Sequence, residues 1–133
     1  MKKKIYPCFV GGKQKPYANC VIVGKTIYLS GMNGRDSETG NAVSDTIEGQ
    51  TWRALEQIDL AMKEAGSSLK NLVKMTTYLK NMKDYQGYRD TERKYFLEHA
   101  LELVKEPVAS TVIQVASLPK EEFLIEIEGI GIL

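Results

Sequence analysis

The C-terminal residues 107–128 (PVASTVIQVASLPKEEFLIEIE) constrain the fold most, because two short runs in them alternate with a period of two. Side chains alternate across a β-strand, so residues 110–116 and 123–128 each fit a strand. Pro119 separates them, since proline lacks the backbone donor that a central strand needs. The pattern predicts a hairpin, in which Glu126 and Glu128 share a sheet face beside Ser110. That acidic pair either is solvated or lines a polar pocket.

The rest of the chain has the patterns of two helices and three more strands. The predicted elements are strands at 18–23 and 26–30 joined by Gly24-Lys25, a helix at 47–65 ended by Gly66, a strand at 72–79 and a helix at 85–98. Residues 100–106 fit either a helix extension or a loop. The order ββ, α, β, α, ββ predicts an α+β fold with one mostly antiparallel sheet and both helices on one face.

Length and charge set further bounds on the function. The 133 residues suit one domain covering 1–133, and the net charge of +1 gives no strong field for nucleic acid or an anionic membrane. No apolar stretch of the sequence is long enough for a signal peptide or a membrane span, so a cytoplasmic protein is expected. Cys8 and Cys20 fit reduced thiols better than a disulfide, and the lone His99 has no metal-ligand partners. No metal site is therefore predicted.

The predicted layer leaves one face of the sheet without helices. Val112 and Leu124 are expected on this face, and an exposed apolar sheet face usually marks an interface. A homo-oligomer with cyclic symmetry is the common way to bury such a face.

Polar residues near strand ends are the candidates for a small-molecule pocket. Glu126 is the best acid-base candidate, because an apolar neighbourhood would raise the pKa of its carboxyl group. A turn or packing role is the alternative for Tyr17, an ordinary strand exit for Ser30, and a surface ion pair for Arg89. The full set of candidates at this point is Tyr17, Ser30, Arg89, Ser110, Thr111 and Glu126.

Several motifs together resemble the Rid (YjgF/RidA) superfamily. They are PY before a hairpin, YLSG, ALEQI, EAG, VKMTTYL, LPK and IEIE, in an order that covers residues 16–132. The resemblance implies a chorismate-mutase-like α+β fold assembled as a homotrimer, in which three sheets form a barrel with clefts between subunits. It also implies hydrolysis of reactive enamines and imines to 2-keto acids and ammonia, with no cofactor.

The resemblance extends to individual residues. Tyr17 matches the tyrosine of the family's cleft, Ser30-Gly31 matches the segment whose backbone lines it, and Glu126 matches the glutamate that holds the attacking water. Members active as deaminases carry an arginine in the strand after Pro107, where it binds the substrate carboxylate. Counting back from Leu118 places Ser110 at that position.

This strand departs from the family pattern in other ways. A shift of one residue would place Ala109 at the arginine position, and neither residue is an arginine. The family's cysteine two positions later is Val112 here, and the family's cleft asparagine on the second helix is Arg89. A planar guanidinium binds a carboxylate through two hydrogen bonds, which a neutral group cannot do.

Three functions follow from these residues. The first is an enamine or imine hydrolase with an altered substrate, in which Arg89 supplies the lost positive charge. The second is a non-catalytic homotrimer that keeps the pocket for a carboxylate, imine or enamine ligand and serves binding or regulation. A ribonuclease comes third, because the weak charge and the single histidine argue against a nucleic-acid partner.

Overall fold

A computed structural model describes residues 2–133 as a six-stranded sheet with two long helices. The elements are β1 (Lys3–Val10), β2 (Lys13–Val23), β3 (Thr26–Asn33), α1 (Ile47–Glu64), β4 (Leu72–Leu79), α2 (Tyr85–His99), the short α3 (Glu102–Lys105), β5 (Ala109–Gln114) and β6 (Ile125–Ile132). The strand order is β1-β2-β3-β6-β4-β5, and β4–β5 is the parallel pair among otherwise antiparallel neighbours. The predicted α+β class is confirmed.

Both long helices pack on one face of the sheet. The apolar stripe of α1, which includes Leu55, Ile58 and Met62, is fully buried against strand residues such as Ile27 and Ile127. Each such side chain contributes roughly 1.5–3 kcal/mol through removal from water. Helix α1 ends as predicted at Gly66, where φ is +84°, a conformation that glycine adopts without a steric cost.

The other face of the sheet has no helix over it. Strand register places Ile5, Tyr28, Ile113 and Ile130 on this open face, together with Glu126 and its neighbours. Ile5, Tyr28 and Ile113 are each more than two-fifths exposed.

The prediction of an uncovered apolar face is therefore confirmed, but its residues differ from those expected. Val112 pairs with the buried Thr77 on the helix side, and Leu124 packs at the edge of the core.

The predicted C-terminal hairpin is wrong. Strand β5 pairs with β4 alone, and β6 lies between β3 and β4, so β4 separates the two strands that were expected to pair. The connection at 115–124 is long enough to cross β4, whereas a hairpin needs only a short turn. One consequence matters for the site: Ser110 lies on the helix side of the sheet, and Thr111 shares the open face with Glu128.

Strand β1 was not predicted from the sequence. Pro7 lies within it and its pairing with β2 is irregular on both sides of Pro7, which hides the alternation. An edge strand tolerates such a proline because one side of its backbone has no partner. Gly11 and Gly12 form the turn into β2, both with positive φ, and this Gly-Gly pair is the signal that would have predicted the hairpin.

The two cysteines are buried free thiols, as expected. Burial, with a smaller effect of the Glu64 carboxylate, raises the pKa of the Cys20 thiol to about 11. Cys20 is therefore protonated at neutral pH and fills the core as a small apolar side chain.

Candidate functional site

A cavity lies where β2, β3 and β6 meet the connection at 115–124. Its volume is about 740 Å³, which suits a small molecule. Four predicted site residues line it, together with Asn33, Arg35 and several charged side chains. The predicted four are Tyr17, Ser30, Gly31 and Glu126.

The carboxylate of Glu126 lies against the backbone of Gly31. A Cβ atom on Gly31 would come within 2.5 Å of Glu126 Oε2, so the space of a methyl group is already filled by this carboxylate. Strand pairing also places Glu126 opposite Asn33 at the end of β3, next to a bulge between Leu29 and Met32. The bulge and the glycine together bring the carboxylate to the cavity wall.

The pKa of the Glu126 carboxyl group is raised above its ordinary value. The main cause is desolvation by partial burial, and the negative charge of Glu128 acts in the same direction. The positive charge of Arg35 opposes both. A carboxyl group with a pKa shifted toward neutrality is suited to accept and return a proton, which was the role predicted for Glu126.

Arg35 is one of the cavity residues that were not predicted from the sequence. It follows β3 in a turn-rich segment, and its guanidinium donates from Nη1 to the Tyr17 hydroxyl at 3.0 Å and from Nη2 to Cys8 Sγ at 3.0 Å. These contacts come from β2 and β1, so only the folded chain reveals that Arg35 reaches the cavity.

The Ser30 hydroxyl serves the sheet. It donates to the Ala18 carbonyl oxygen at 2.5 Å, beyond the point where the regular pairing of β2 with β3 stops. Its hydrogen is therefore bonded within the fold, and the Ser30 hydroxyl can meet a ligand only through its oxygen lone pairs.

A second, smaller hollow of about 280 Å³ adjoins the cavity along the open face. Gly31 and Glu126 line both, and Tyr78 and Glu128 complete the acidic wall of the smaller one. The Tyr78 hydroxyl donates to Glu128 Oε1, which fixes the second carboxylate of the pair. The acidic pair thus lines a polar depression, which was one of the two alternatives for it.

Arg89 and the β5 candidates lie apart from this cavity within the subunit. Arg89 donates to the Tyr85 hydroxyl, to Glu92 Oε1 and to Ser110 Oγ, each at 3.0 Å. It therefore forms an ion pair with Glu92 within α2, and this pair is partly buried, whereas the alternative expected for Arg89 was a surface ion pair. Thr111 is exposed on the open face, where its hydroxyl accepts from Lys74 Nζ at 3.3 Å.

Two of the predicted substrate-binding residues, Ser110 and Val112, lie on the opposite side of β5 from Glu126. Ala109, Thr111 and Ile113 are the β5 residues on the Glu126 side. Of the two positions considered for the absent arginine, Ser110 and Ala109, only Ala109 therefore lies on the open face.

Residues 2–133 contain neither a metal-binding cluster nor a membrane-spanning helix. Their histidine, cysteine and acidic side chains form no group of three placed to hold a metal ion. None of the helices in this range combines the length and the apolar composition needed to cross a membrane.

Comparison with known proteins identifies the fold and the family. A sheet in this order with two helices on one face matches the crystal structure of E. coli TdcF with bound serine, with a TM-score of 0.84, 26% identity and coverage of 99% of both chains. The family model described as endoribonuclease L-PSP matches residues 12–133.

Relatives in sequence agree with this assignment. A RutC family protein of Pyrococcus abyssi is 37% identical over 116 residues, which are 87% of this chain and 85% of the relative. The human 2-iminobutanoate/2-iminopropanoate deaminase is 33% identical over 117 residues, 88% of this chain and 80% of the relative. The chain therefore belongs to the endoribonuclease L-PSP family, the Rid (YjgF/RidA) superfamily that its motifs resemble.

Proposed function

We propose that this protein is a homotrimeric hydrolase of small enamines or imines, with Glu126 as the group that activates water. The observation that carries the proposal is the position of the Glu126 carboxylate, which lines a cavity of molecular size, lies against the bare backbone of Gly31 and has a raised pKa. The name of the human relative, a deaminase of 2-imino acids, supports this reaction class.

The reaction needs one water molecule and one group that moves protons. Glu126 accepts a proton from water as the water oxygen bonds to the imine carbon, and passes this proton to the imine nitrogen to give a carbinolamine. Glu126 then accepts the hydroxyl proton of that intermediate and passes it to the nitrogen, as the C=O double bond forms and the C–N bond breaks. The products are a 2-keto acid and ammonia, and Glu126 returns to its starting state.

The open face of the sheet supports the homotrimer. Ile5, Tyr28 and Ile113 leave a wide apolar surface in the isolated subunit, and burial of such a surface stabilises an assembly. In a closed trimer of the family's kind, the cavity beside Glu126 would lie next to a neighbouring subunit. Arg89, Ser110, Thr111 and Val112 would contribute to substrate binding only from that neighbour, because they do not line the cavity of their own subunit.

An altered substrate is part of the proposal. No arginine is present on β5, whose open-face residues are Ala109, Thr111 and Ile113. The contact with the substrate carboxylate that an arginine would make from this strand is absent. Substrates of the related deaminases should therefore be turned over with a changed order of preference.

The test is ammonia release from 2-imino acids formed in situ by an amino-acid oxidase, with several parent amino acids. Wild-type protein, confirmed as a trimer by light scattering, should release ammonia faster than buffer, and Glu126→Gln should not. Glu121→Gln is the matched control, since Glu121 is an exposed carboxylate paired with Lys80 outside the cavity. No acceleration by the wild-type trimer with any parent amino acid would contradict the proposal and leave a ligand-binding role.

A further inference from the structure

The guanidinium of Arg35 has unused hydrogen-bonding capacity inside the cavity. Of its five N–H donors, one is directed to the Tyr17 hydroxyl and one to Cys8 Sγ. Within residues 2–133 the other three have no acceptor, and no carboxylate lies within 4.0 Å of this guanidinium. Arg53 and Arg89, the other two partly buried arginines, each form an ion pair.

Arg35 is also held rigidly. Its backbone N–H donates to Asn33 Oδ1 at 3.1 Å, and its carbonyl oxygen accepts from Arg53 Nε at 2.8 Å. A bridge to Ala42 fixes the same residue from the far side of the loop. An arginine whose backbone and two guanidinium nitrogens are already hydrogen-bonded loses little conformational entropy when its guanidinium binds a further group.

The surroundings of Arg35 favour a negatively charged partner. Four cationic side chains line the cavity and only two carboxylates do, although the whole chain carries a net charge of only +1. Lys120 is bound to neutral acceptors, the Gly40 carbonyl oxygen and the Asn41 side chain, so its charge is not neutralised. The charged lining residues are Lys13, Lys15, Arg35, Lys120, Glu38 and Glu126.

Arg35 and Glu126 face the same space without pairing. They are too far apart for an ion pair, yet both line the cavity and the charge of Arg35 acts on Glu126. A small molecule between them would meet a cation at one end and a proton-accepting carboxylate at the other. The Tyr17 hydroxyl lies at the Arg35 end, and its own hydrogen has no acceptor in the described chain.

We propose that Arg35, with the Tyr17 hydroxyl beside it, binds a carboxylate group of the ligand and so orients the ligand's reactive carbon toward Glu126. This inference rests on the proposed function for the identity of the reactive carbon. The anion site itself depends only on the position and free donors of Arg35. The positive charge missing from β5 is thereby supplied from the loop after β3, and not from Arg89.

The experiment compares two probes of nearly the same shape, one ending in a carboxylate and the other in a neutral amide. Calorimetric titration of the wild-type protein with 2-oxobutanoate and with uncharged 2-oxobutanamide should give at least about tenfold tighter binding of the carboxylate, as expected for a charge-assisted bidentate contact. Arg35→Met should weaken 2-oxobutanoate binding by about tenfold to a hundredfold and leave 2-oxobutanamide binding unchanged. Equal affinity for the two probes in the wild type, or full discrimination in Arg35→Met, would overturn the inference.

Two further variants keep the test decisive. Arg35→Lys retains the charge without the planar fork, so it should lose part of the discrimination even if Arg35→Met fails to assemble. Arg93→Met is the control, because Arg93 is exposed on α2 and does not line the cavity; it should bind both probes as the wild type does. A wild-type protein that discriminates between the probes but releases no ammonia would contradict the hydrolase and leave the anion site intact.

Discussion

The Glu126 carboxylate and the Gly31 backbone touch so closely that a methyl group on Gly31 would meet Glu126 Oε2 at 2.5 Å. One residue comes from β3 and the other from β6, and the contact depends on the bulge that interrupts the pairing of these strands. The glycine is thus required by the position of the carboxylate. The cavity wall is formed by this contact.

Gly31→Ala should therefore impair the site more than the fold. The added methyl group displaces the end of a flexible side chain, which costs the fold little but moves the proton-accepting group. Because small displacements of reacting groups lower the reaction rate strongly, we expect kcat/KM for ammonia release to fall by about tenfold to a hundredfold. Thermal unfolding is the accompanying measurement: a loss of activity explained by unfolding at the assay temperature would contradict the account.

The pH dependence of activity should follow the ionisation of Glu126. Activity should rise with pH through the pKa of this group, which lies above the ordinary glutamate value of about 4.3. Glu128→Gln removes a negative charge but keeps an oxygen that can accept from Tyr78, so the acidic limb of the kcat/KM profile should move to lower pH. Arg35→Met removes the opposing positive charge and should move it to higher pH. Acidic limbs that coincide in all three proteins would show that Glu126 does not set the profile.

Glu126→Gln should increase thermal stability at neutral pH. The pKa of Glu126 is higher in the folded chain than in the unfolded chain, so the folded state binds the proton more tightly and stability falls as pH rises from the ordinary value through the raised one. Glutamine removes this penalty. At a fixed protein concentration, the variant should unfold at a higher temperature than the wild type at pH 7. The difference should shrink below the ordinary glutamate pKa, and a variant less stable at pH 7 would contradict the assigned cause.

The open face should control assembly. Ile113→Lys places a charge on the open face of each subunit, and the proposed trimer buries this face. Because burial of an unpaired charge costs free energy, the substitution should destabilise the trimer. We expect this variant to elute as a monomer in size-exclusion chromatography with light scattering. Leu97→Lys is the control, because Leu97 is exposed to a similar extent (45% against 42%) but lies on α2. A trimer that survives Ile113→Lys would show that this part of the face is not an interface.

The sequence predicts the helices well because their signals are local. The stripe of α1 and the terminator Gly66 both lie within one segment, and the structure confirms them. The pairing of β5 and β6 could not be predicted in the same way. Alternation indicates a strand but not its partner, and β4 enters between them from an earlier part of the chain.

In the site, too, residues with local sequence signals could be predicted and those defined by long-range contacts could not. Glu126, Tyr17 and Gly31 could be predicted because they lie in family motifs. All three line one cavity in the structure. Arg35 was missed because it lies in a loop, and its importance comes from Tyr17 and Cys8, which are 18 and 27 residues away in sequence. Ser110 was placed on the wrong face because the assumed hairpin put it beside Glu126.

The decay of 2-iminobutanoate with enzyme in excess tests the central claim most directly, because it follows the C–N bond cleavage without later steps. A brief reaction of amino-acid oxidase with the parent amino acid forms the imine. The imine concentration is then followed over time in the presence of wild-type protein, of Glu126→Gln, or of neither. We predict that the wild-type trimer accelerates decay and that Glu126→Gln, equally trimeric, leaves it at the rate of the buffer. Equal acceleration by the two proteins would contradict the role of Glu126, and no acceleration by either would contradict the hydrolase itself.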